Sequence, residues 1–134
     1  MTQSNTQETP ISFKGYQIKK LEYGTDIEKE KDRIGIKYGI SNDQKMGQVV
    51  ITVYFSDKSK SSNGILEVIG QFEIKKGLTE KQQHIFLGQN GSAILYPYVR
   101  AILSMVTALD DNRVQVLPTL NFVNLAKNDK IKKQ

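Results

Sequence analysis

One apolar stretch in the C-terminal half, Ile94–Leu109, restricts the possible folds more than any other part of the sequence. It reads ILYPYVRAILSMVTAL, which has the length and spacing of a helix. Its polar residues, Arg100, Ser104 and Thr107, form one narrow stripe on such a helix, predicted to face water or polar groups. The remaining residues are apolar or aromatic and cover well over half of the circumference, whereas a surface helix needs an apolar arc of only about 100°.

Two interpretations explain this excess of apolar surface. The helix is either buried within one chain, between a sheet and the C-terminal segment, or it covers its own sheet with one side and meets a second subunit with the other. A single sheet and one long helix form only two layers, so the sequence favours a helix-mediated homo-oligomer. The predicted interface residues are Tyr98, Ala101, Ile102, Met105, Ala108 and Leu109.

The ends of this helix follow from breaker and capping residues. Pro97 is tolerated only in the first turn, so the regular helix is predicted to start near it or to kink there. Ser92 is a candidate N-cap, and Asp110–Asn112 ends the helix. A separate short helix is predicted over Thr79–Leu87, with a stop at Gly88, although a short strand is the alternative for HIFLG.

Four segments before the helix alternate apolar and polar residues as strands do. They are Ile11–Tyr23, Ile34–Ile40, Gln48–Phe55 and Ile65–Lys75. Gly15 lies where the first segment changes parity, which predicts a β-bulge, and the third segment is apolar on both faces, which predicts a central strand. Short polar connectors favour an antiparallel meander. The predicted fold class is therefore α+β, with a four-stranded antiparallel meander sheet covered by one long helix.

The length and the charge distribution indicate one domain with two tails. The 134 residues suit a single domain, predicted over 11–125, after a disordered arm over 1–10. The net charge is +5, but the last eight residues, KNDKIKKQ, carry four lysines and one aspartate. Residues 126–134 are thus predicted to be a solvated basic tail. This location argues against nucleic-acid binding, which remains an alternative only through the lysines of the tail.

The compartment is predicted from what the sequence lacks. The chain contains no cysteine, which fits a reducing compartment and excludes thiolate chemistry. The N-terminus, MTQSNTQETP, shows no signal peptide. The apolar stretch is shorter than the roughly 20 residues that a membrane span needs, and Arg100 interrupts it. We therefore expect a soluble cytoplasmic protein without a membrane span.

No set of residues in the sequence assembles a reactive site. His84 is the only histidine and has no evident nucleophile beside it. The glycines of Gly88–Gly91 are not followed by the lysine and hydroxyl residue of a phosphate loop. Asp110 and Asp111 lack further oxygen ligands nearby in the sequence. We expect no catalytic residues, no metal and no cofactor, which points to a binding or assembly module.

The helical stretch and the residues after it resemble the export chaperone SecB. The matching residues are NGSAILYPYVRAILSMVTALDD, from Asn90 to Asp111, and VLPTLNFVNL, from Val116 to Leu125. SecB likewise has an Ile-Leu-aromatic-Pro-Tyr helix start with a following arginine, a Ser-Met-Val further along, and a later proline before Asn-Phe. The motif covers about a quarter of the chain, and the order of the four strands before it also looks like SecB.

The SecB resemblance implies a fold, an assembly and a function. It implies a dimer or a dimer of dimers with the long helices at the interface, and ATP-independent binding of unfolded polypeptides in apolar grooves. By position it implies that the groove residues are Leu21, Tyr23, Ile34, Ile36, Tyr38, Phe122 and Leu125. Of these, Tyr23, Tyr38 and Phe122 are expected to be exposed aromatic residues, and Ile34 and Ile36 are expected to lie in the core. A scaffold protein of the same fold without client binding is the alternative.

The sequence also departs from SecB. SecB is acidic and engages the motor protein SecA with acidic residues and its C-terminal end, whereas this chain is basic and ends in a short lysine-rich segment. The second C-terminal helix of SecB is truncated or absent here. These departures argue against SecA docking and predict a divergent SecB-like protein, whose role in export, in a toxin–antitoxin system or elsewhere stays open.

Overall fold

The computed structural model describes residues 9–110 and 116–134. Its strands are β1 Ile11–Gly24, β2 Arg33–Ile40, β3 Met46–Asp57, β4 Ser62–Ile74 and β5 Ile131–Lys133. Its helices are α1 Glu80–Gln83, a π-helical segment His84–Gly91, α2 Ser92–Asp110 and α3 Phe122–Lys127, with a short 3-10 turn at Lys58–Lys60. The α+β class and the four predicted strands are confirmed. Most of the predicted arm, residues 1–10, lies outside the described residues.

The strand order, β1-β4-β3-β2-β5, shows that the predicted four-stranded meander is wrong at both edges. Strands β2, β3 and β4 form antiparallel hairpins as predicted, but β1 pairs with β4 instead of β2. The connection over residues 25–32 crosses the end of the sheet, where Asn63 Nδ2 donates to the Ile27 carbonyl at 3.2 Å and Ser56 Oγ donates to Asp32 at 2.9 Å. Because this connection is long, β1 reaches the far edge and completes a Greek key.

Two local predictions about the strands are confirmed. The register of β1 against β4 shifts between Phe13 and Gly15, and Gly15 has a φ of +119°, which only glycine adopts readily. Strand β3 is central, with β2 on one side and β4 on the other. Its side chains Val49, Ile51 and Val53 are buried beneath the helix, and Val50 on the opposite face is buried as well.

One continuous helical stretch runs from α1 through the π-helical segment into α2. Thr79 caps it as predicted, in a capping box with Gln82. The predicted stop at Gly88 and the N-cap role of Ser92 are wrong, because the chain stays helical there and Ser92 Oγ donates to the Gly88 carbonyl. Pro97 lies inside α2, which continues on both sides of it.

The helical stretch lies across one face of the sheet and forms the core with it. Leu95, Val99 and Leu103 of α2 are fully buried in one cluster with side chains from β2, β3 and β4, such as Phe72. The predicted polar stripe does not face water throughout. Thr107 is 1 % exposed, and its hydroxyl donates to the Leu103 carbonyl at 2.9 Å, which satisfies it within the helix.

The prediction that residues 126–134 form a solvated tail is wrong, because the chain returns to the sheet. Strand β5 pairs in parallel with β2, with Ile131 opposite Ile36, and makes the sheet five-stranded and mixed. Ile131 is 1 % exposed, whereas the lysines around it point outward. The single isoleucine supplies an apolar contact to the core, which the lysine-rich composition of this segment did not predict.

The segment between α2 and β5 is partly helical. Residues 116–121 form no helix or strand, and α3 then begins after Asn121, whose side-chain oxygen accepts from the Asn124 amide at 3.1 Å. The helix spans only six residues, which agrees with a truncated second C-terminal helix.

Gly88 permits the close approach of the helical stretch to β2 and β5. A Cβ added there would lie 2.9 Å from Cε1 of the Tyr38 ring and 3.3 Å from an Ile131 methyl group. We therefore expect Gly88→Ala to lower the free energy of unfolding by about 1–3 kcal/mol, although alanine is the better helix former. Urea denaturation followed by circular dichroism measures this change.

The matched control is Gly35→Ala on β2, where an added Cβ meets nothing within 4 Å. That variant should be neutral or more stable by up to about 1 kcal/mol, because alanine loses less backbone entropy on folding. Equal stability of the two variants would show that the contact at Gly88 is not tight.

Candidate functional site

An open groove lies at the start of β2, between the sheet and the irregular segment, residues 116–121, that leads into α3. Its volume is about 380 Å³. The lining residues come from four separate parts of the chain and are Asp32, Arg33, Ile34, Val53, Tyr54, Phe55, Ser56, Leu103, Val116, Leu117 and Pro118. Most of this lining is apolar, as in a surface that accepts apolar side chains.

The outer wall of the groove is held by contacts to α2. The Tyr96 hydroxyl donates to the Pro118 carbonyl at 2.8 Å, and the Phe122 ring meets the Tyr96 ring edge-on with centroids 5.4 Å apart. Leu117 packs against the core cluster and is half-buried, while Val116 is 64 % exposed. The irregular segment thus presents apolar side chains beside the sheet instead of covering it.

Charged residues form the rim of the groove. The Arg33 guanidinium lies 3.9 Å from the centre of the Tyr54 ring, and its Nη1 lies 3.3 Å from the Glu30 carboxylate. Asp32 accepts from Ser56. These contacts pair the charged groups of the rim with other groups of the protein. The floor of the groove, at Ile34 and Leu103, therefore remains apolar.

Beside the groove, Tyr23 stacks on Phe55 with ring centroids 5.4 Å apart. This arrangement depends on Gly64, because a Cβ there would lie 2.7 Å from Cε2 of Phe55 and 2.8 Å from the Glu22 carbonyl oxygen. Asn63-Gly64 has the composition of a turn dipeptide, but both residues lie within β4. The sequence alone does not indicate whether such a glycine forms a turn or allows close contact within a strand.

The predicted groove residues divide into three groups in the structure. Ile34, which was expected in the core, is half-buried and lines the groove, and Tyr23, which was expected to be exposed, is half-buried beside it. Ile36 and Tyr38 are only 4 % and 3 % exposed, so Ile36 lies in the core as expected and the expectation of an exposed Tyr38 is wrong. Outside the groove lining, Leu21 is 40 % exposed on β1, while Phe122 and Leu125 of α3 are half-buried against the core.

Tyr38 is buried because it bridges the sheet and the π-helical segment. Its hydroxyl lies 3.2 Å from Nδ1 of His84, which gives the single histidine of the chain a structural partner. Burial raises the pKa of Tyr38, and the nearby Glu80 carboxylate raises this pKa further. Within residues 9–110 and 116–134 no cluster of three or more histidine or acidic side chains could hold a metal ion.

The outward face of α2 is apolar, and the part of the chain that the structure describes does not cover it. The six residues predicted for an oligomer interface lie on it or at its border: Tyr98, Ala101, Met105, Ala108 and Leu109 are exposed, and Ile102 is half-buried. The exposed fraction reaches 67 % at Met105 and 88 % at Leu109. The patch continues onto β1, because the Tyr98 ring lies 4.8 Å from that of Tyr16. Exposed apolar patches of this kind mark interaction surfaces.

The helical stretch is longer than the sequence interpretation allowed. Glu80–Leu109 spans 30 residues and is long and apolar enough to cross a membrane by length and composition alone. The core helix of a soluble protein passes the same test, and 33 % of its most apolar part is buried against the protein itself. The length of the stretch therefore does not exclude a membrane span. Its packing on the sheet is stronger evidence that it is a core helix than its length is evidence for a span.

Comparison with known proteins agrees with the architecture. No family model matches the chain. A SecB-like chaperone of Mycobacterium tuberculosis, solved in complex with a ChAD peptide from the HigA1 antitoxin, superposes with a TM-score of 0.62. The superposition covers 84 % of this chain and 88 % of that chain, at 13 % sequence identity. The protein therefore has a SecB-like fold, with a sequence that diverges strongly from that chaperone.

Two further similarities add no assigned function. A protein of unknown function from Streptococcus agalactiae superposes with a TM-score of 0.57 and 16 % identity, over 82 % of this chain and 97 % of that chain. An uncharacterized protein of Methanocaldococcus jannaschii is 26 % identical over 130 residues, which covers 88 % of this chain and 83 % of the relative.

Removal of the Tyr96 hydroxyl tests whether its hydrogen bond holds the outer wall of the groove. Tyr96→Phe removes the hydrogen bond to Pro118, and we expect the free energy of unfolding to fall by about 0.5–1.5 kcal/mol at neutral pH. Burial raises the pKa of Tyr96 above its ordinary value of 10.0, an effect that Arg100 partly opposes. The contribution of Tyr96 is thus complete below pH 10 and is lost as the pH rises through the higher pKa of the folded state.

Above pH 10 the wild-type protein should consequently lose stability more steeply than Tyr96→Phe, as urea denaturation at a series of pH values measures. The control is Tyr98→Phe, the same change at a side chain that is 39 % exposed on the outward face of α2. A Tyr96→Phe variant as stable as the Tyr98→Phe variant would show that the bond to Pro118 does not hold the wall.

Proposed function

We propose that the protein is an ATP-independent, non-enzymatic holdase that binds unfolded or extended polypeptide segments in the groove at the start of β2. One observation carries this proposal: the groove is open, largely apolar and bordered by a segment of the chain itself that is neither helix nor strand. The SecB-like chaperone with which the chain shares its fold was solved with an antitoxin peptide, which supports a polypeptide as the ligand here.

Binding in such a groove needs no nucleotide. An unfolded client exposes apolar side chains, and burial against Ile34, Phe55 and Leu117 removes that surface from water. The edge of β2 beside Ile34 offers main-chain groups that an extended client can pair with, so affinity does not require one particular sequence. A client held in this way is kept from associating with other unfolded chains.

Several predicted residues keep a part in this proposal. Ile34 contributes directly, and Tyr23 extends the apolar surface through its stack on Phe55. Leu21, Phe122 and Leu125 would extend the binding surface for longer clients, while Ile36 and Tyr38 support it from the core.

We also propose that a second copy of the chain covers the outward face of α2, in a dimer or a dimer of dimers. Met105 and Leu109 are too exposed to contribute to the core of a single chain. The small residues Ala101 and Ala108 on the same face allow two helices to approach closely. We propose in addition that the protein is cytoplasmic and that the chain forms one folded unit from residue 11 onward. Both statements are consistent with this assembly.

A scaffold protein of the same fold without client binding is the second candidate. It is favoured by the burial of Tyr38, which leaves less exposed aromatic surface than the sequence predicted. Docking to SecA is not part of either proposal, because β5 takes the C-terminal residues into the sheet.

Val116 offers a direct test of the groove, because it lines the groove and is 64 % exposed, so its replacement should not disturb the core. The assay follows light scattering of insulin aggregating after reduction, and the reductant leaves this cysteine-free chain intact. The wild-type protein should suppress aggregation near stoichiometric ratios. Val116→Asp should need about tenfold more protein, since a charge replaces an apolar contact worth about 1.4 kcal/mol.

The matched control is Val123→Asp on α3, where the valine is 44 % exposed and lies outside the groove. It should suppress aggregation as the wild-type protein does. No suppression by the wild-type protein at any ratio would reject the holdase and leave the scaffold candidate.

The outward face of α2 is tested separately by solution mass. Leu109→Glu places a charge on the exposed apolar face and should shift the protein to the mass of one chain in size exclusion with light scattering. Gln71→Glu makes the same change in charge at an exposed position of β4 and should leave the oligomer intact. A wild-type protein with the mass of one chain would contradict the proposed assembly.

A further inference from the structure

The edge of β2 is partly occupied by the C-terminal strand of the same chain. Residues Ile131–Lys133 lie parallel to Ile36–Tyr38, and the Gln134 amide donates to the Tyr38 carbonyl at 2.7 Å. A three-residue ladder supplies few hydrogen bonds, and parallel pairing is slightly weaker per residue than antiparallel pairing. Main-chain pairing alone therefore holds β5 only weakly.

One side chain anchors β5. Ile131 is 1 % exposed and belongs to the core cluster with Ile36 and Tyr38. Gly88 forms one side of the pocket that holds this side chain, because a Cβ added there would lie 3.3 Å from an Ile131 methyl group. The pocket thus fits one branched aliphatic side chain presented by an extended strand.

The polar side-chain contacts around this anchor are at the surface except one, in which Lys133 Nζ donates to the side-chain oxygen of the buried Gln83 at 3.4 Å. Lys132 lies 3.3 Å from Asp129, and both side chains are exposed, so this ion pair contributes little. Gln48 Nε2 donates to the Gln134 side chain at 2.9 Å, again at the surface. Asp129, which connects α3 to β5, has a φ of +60°, a backbone conformation that non-glycine residues rarely adopt. The turn into β5 is itself closed by hydrogen bonds from the Asp129 and Lys130 amides to the Ala126 and Leu125 carbonyls, so release of β5 requires only that residues 131–134 leave the sheet.

The edge that β5 occupies is continuous with the groove. Strand β2 begins at Arg33, and its first residues line the groove, while β5 pairs with β2 only from Ile36 onward. An extended polypeptide that pairs along the whole edge of β2 and places a side chain in the groove needs the positions of Ile131–Lys133. Such a ligand and β5 exclude each other.

We infer that the edge of β2 is a strand-accepting site and that β5 is its internal ligand, which a bound polypeptide displaces. The site takes an extended segment with a branched aliphatic residue at the anchor and polar or basic residues beside it, as β5 itself shows. The inference rests on the proposed function for the identity of the external ligand, but the site can be tested without any client.

The first experiment is peptide exchange in the full-length chain. Ile131→Asp should release β5, and a synthetic peptide of residues 128–134, NDKIKKQ, should then bind at the vacated edge. We expect the peptide to shift the amide NMR signals of residues 36–38 and Gly88 in the variant at concentrations at least tenfold lower than in the wild-type protein. The same peptide with aspartate in place of isoleucine should cause no shift.

Lys132→Gln is the matched control, because it changes an exposed residue of β5 and keeps the anchor. It should respond to the peptide as the wild-type protein does. Equal responses of Ile131→Asp and wild type, or no response in either, would overturn the strand-accepting site.

The second experiment locks β5 in place. Lys37 and Lys132 are exposed partners in the β2–β5 register, and the chain has no cysteine of its own. The double variant Lys37→Cys, Lys132→Cys can therefore be closed by one disulfide and reopened by reduction. We expect reduced, alkylated α-lactalbumin, a permanently unfolded probe, to bind the closed form at least tenfold more weakly than the open form.

Lys37→Cys alone, treated with the same oxidant, controls for the oxidation. Equal affinity of the closed and open forms would overturn displacement of β5. If the probe binds neither form while the peptide exchange succeeds, the holdase proposal fails and the strand-accepting site stands on the peptide result.

Discussion

The packing of one continuous helical stretch across one face of the sheet is the interaction on which the rest of the structure depends. Leu95, Val99 and Leu103 fill the space above β3 and β4, so the sheet face beneath them is fully used. Among residues 9–110 and 116–134, no further layer covers the opposite side of the same helix. The exposed face at Met105 and the groove beside Leu103 both follow from this placement of the helix.

The alternation of side chains predicted the strand positions well, but it did not predict the neighbours of β1. Alternation reports which face of a strand is buried, and it is the same whether β1 pairs with β2 or with β4. Pairing at the far edge depends on the connection over residues 25–32, whose polar sequence shows no periodicity. Likewise Ile131 is one apolar residue among lysines, so its burial gave no periodic signal.

The role of Gly88 and most of the groove lining could not be predicted from the local sequence either. Gly88 was interpreted as a helix stop, but it serves the close approach of Tyr38 and Ile131, a distinction that depends on the partner side chains. Of the groove lining, Ile34 was predicted through the SecB resemblance, whereas Phe55, Leu103 and Val116 were not. They come from distant segments, and each reads locally as an ordinary strand, core or loop residue.

The two proposed contacts of the protein use different sides of one helix. Leu103 points toward the sheet and the groove, whereas Met105 and Leu109 point away from them. A second copy on the outward face would therefore leave the groove open, and clients would not compete with assembly. Competition arises instead along β2, where the groove and β5 share one strand. The internal strand limits access to that edge to segments that replace its main-chain bonds and its isoleucine anchor together.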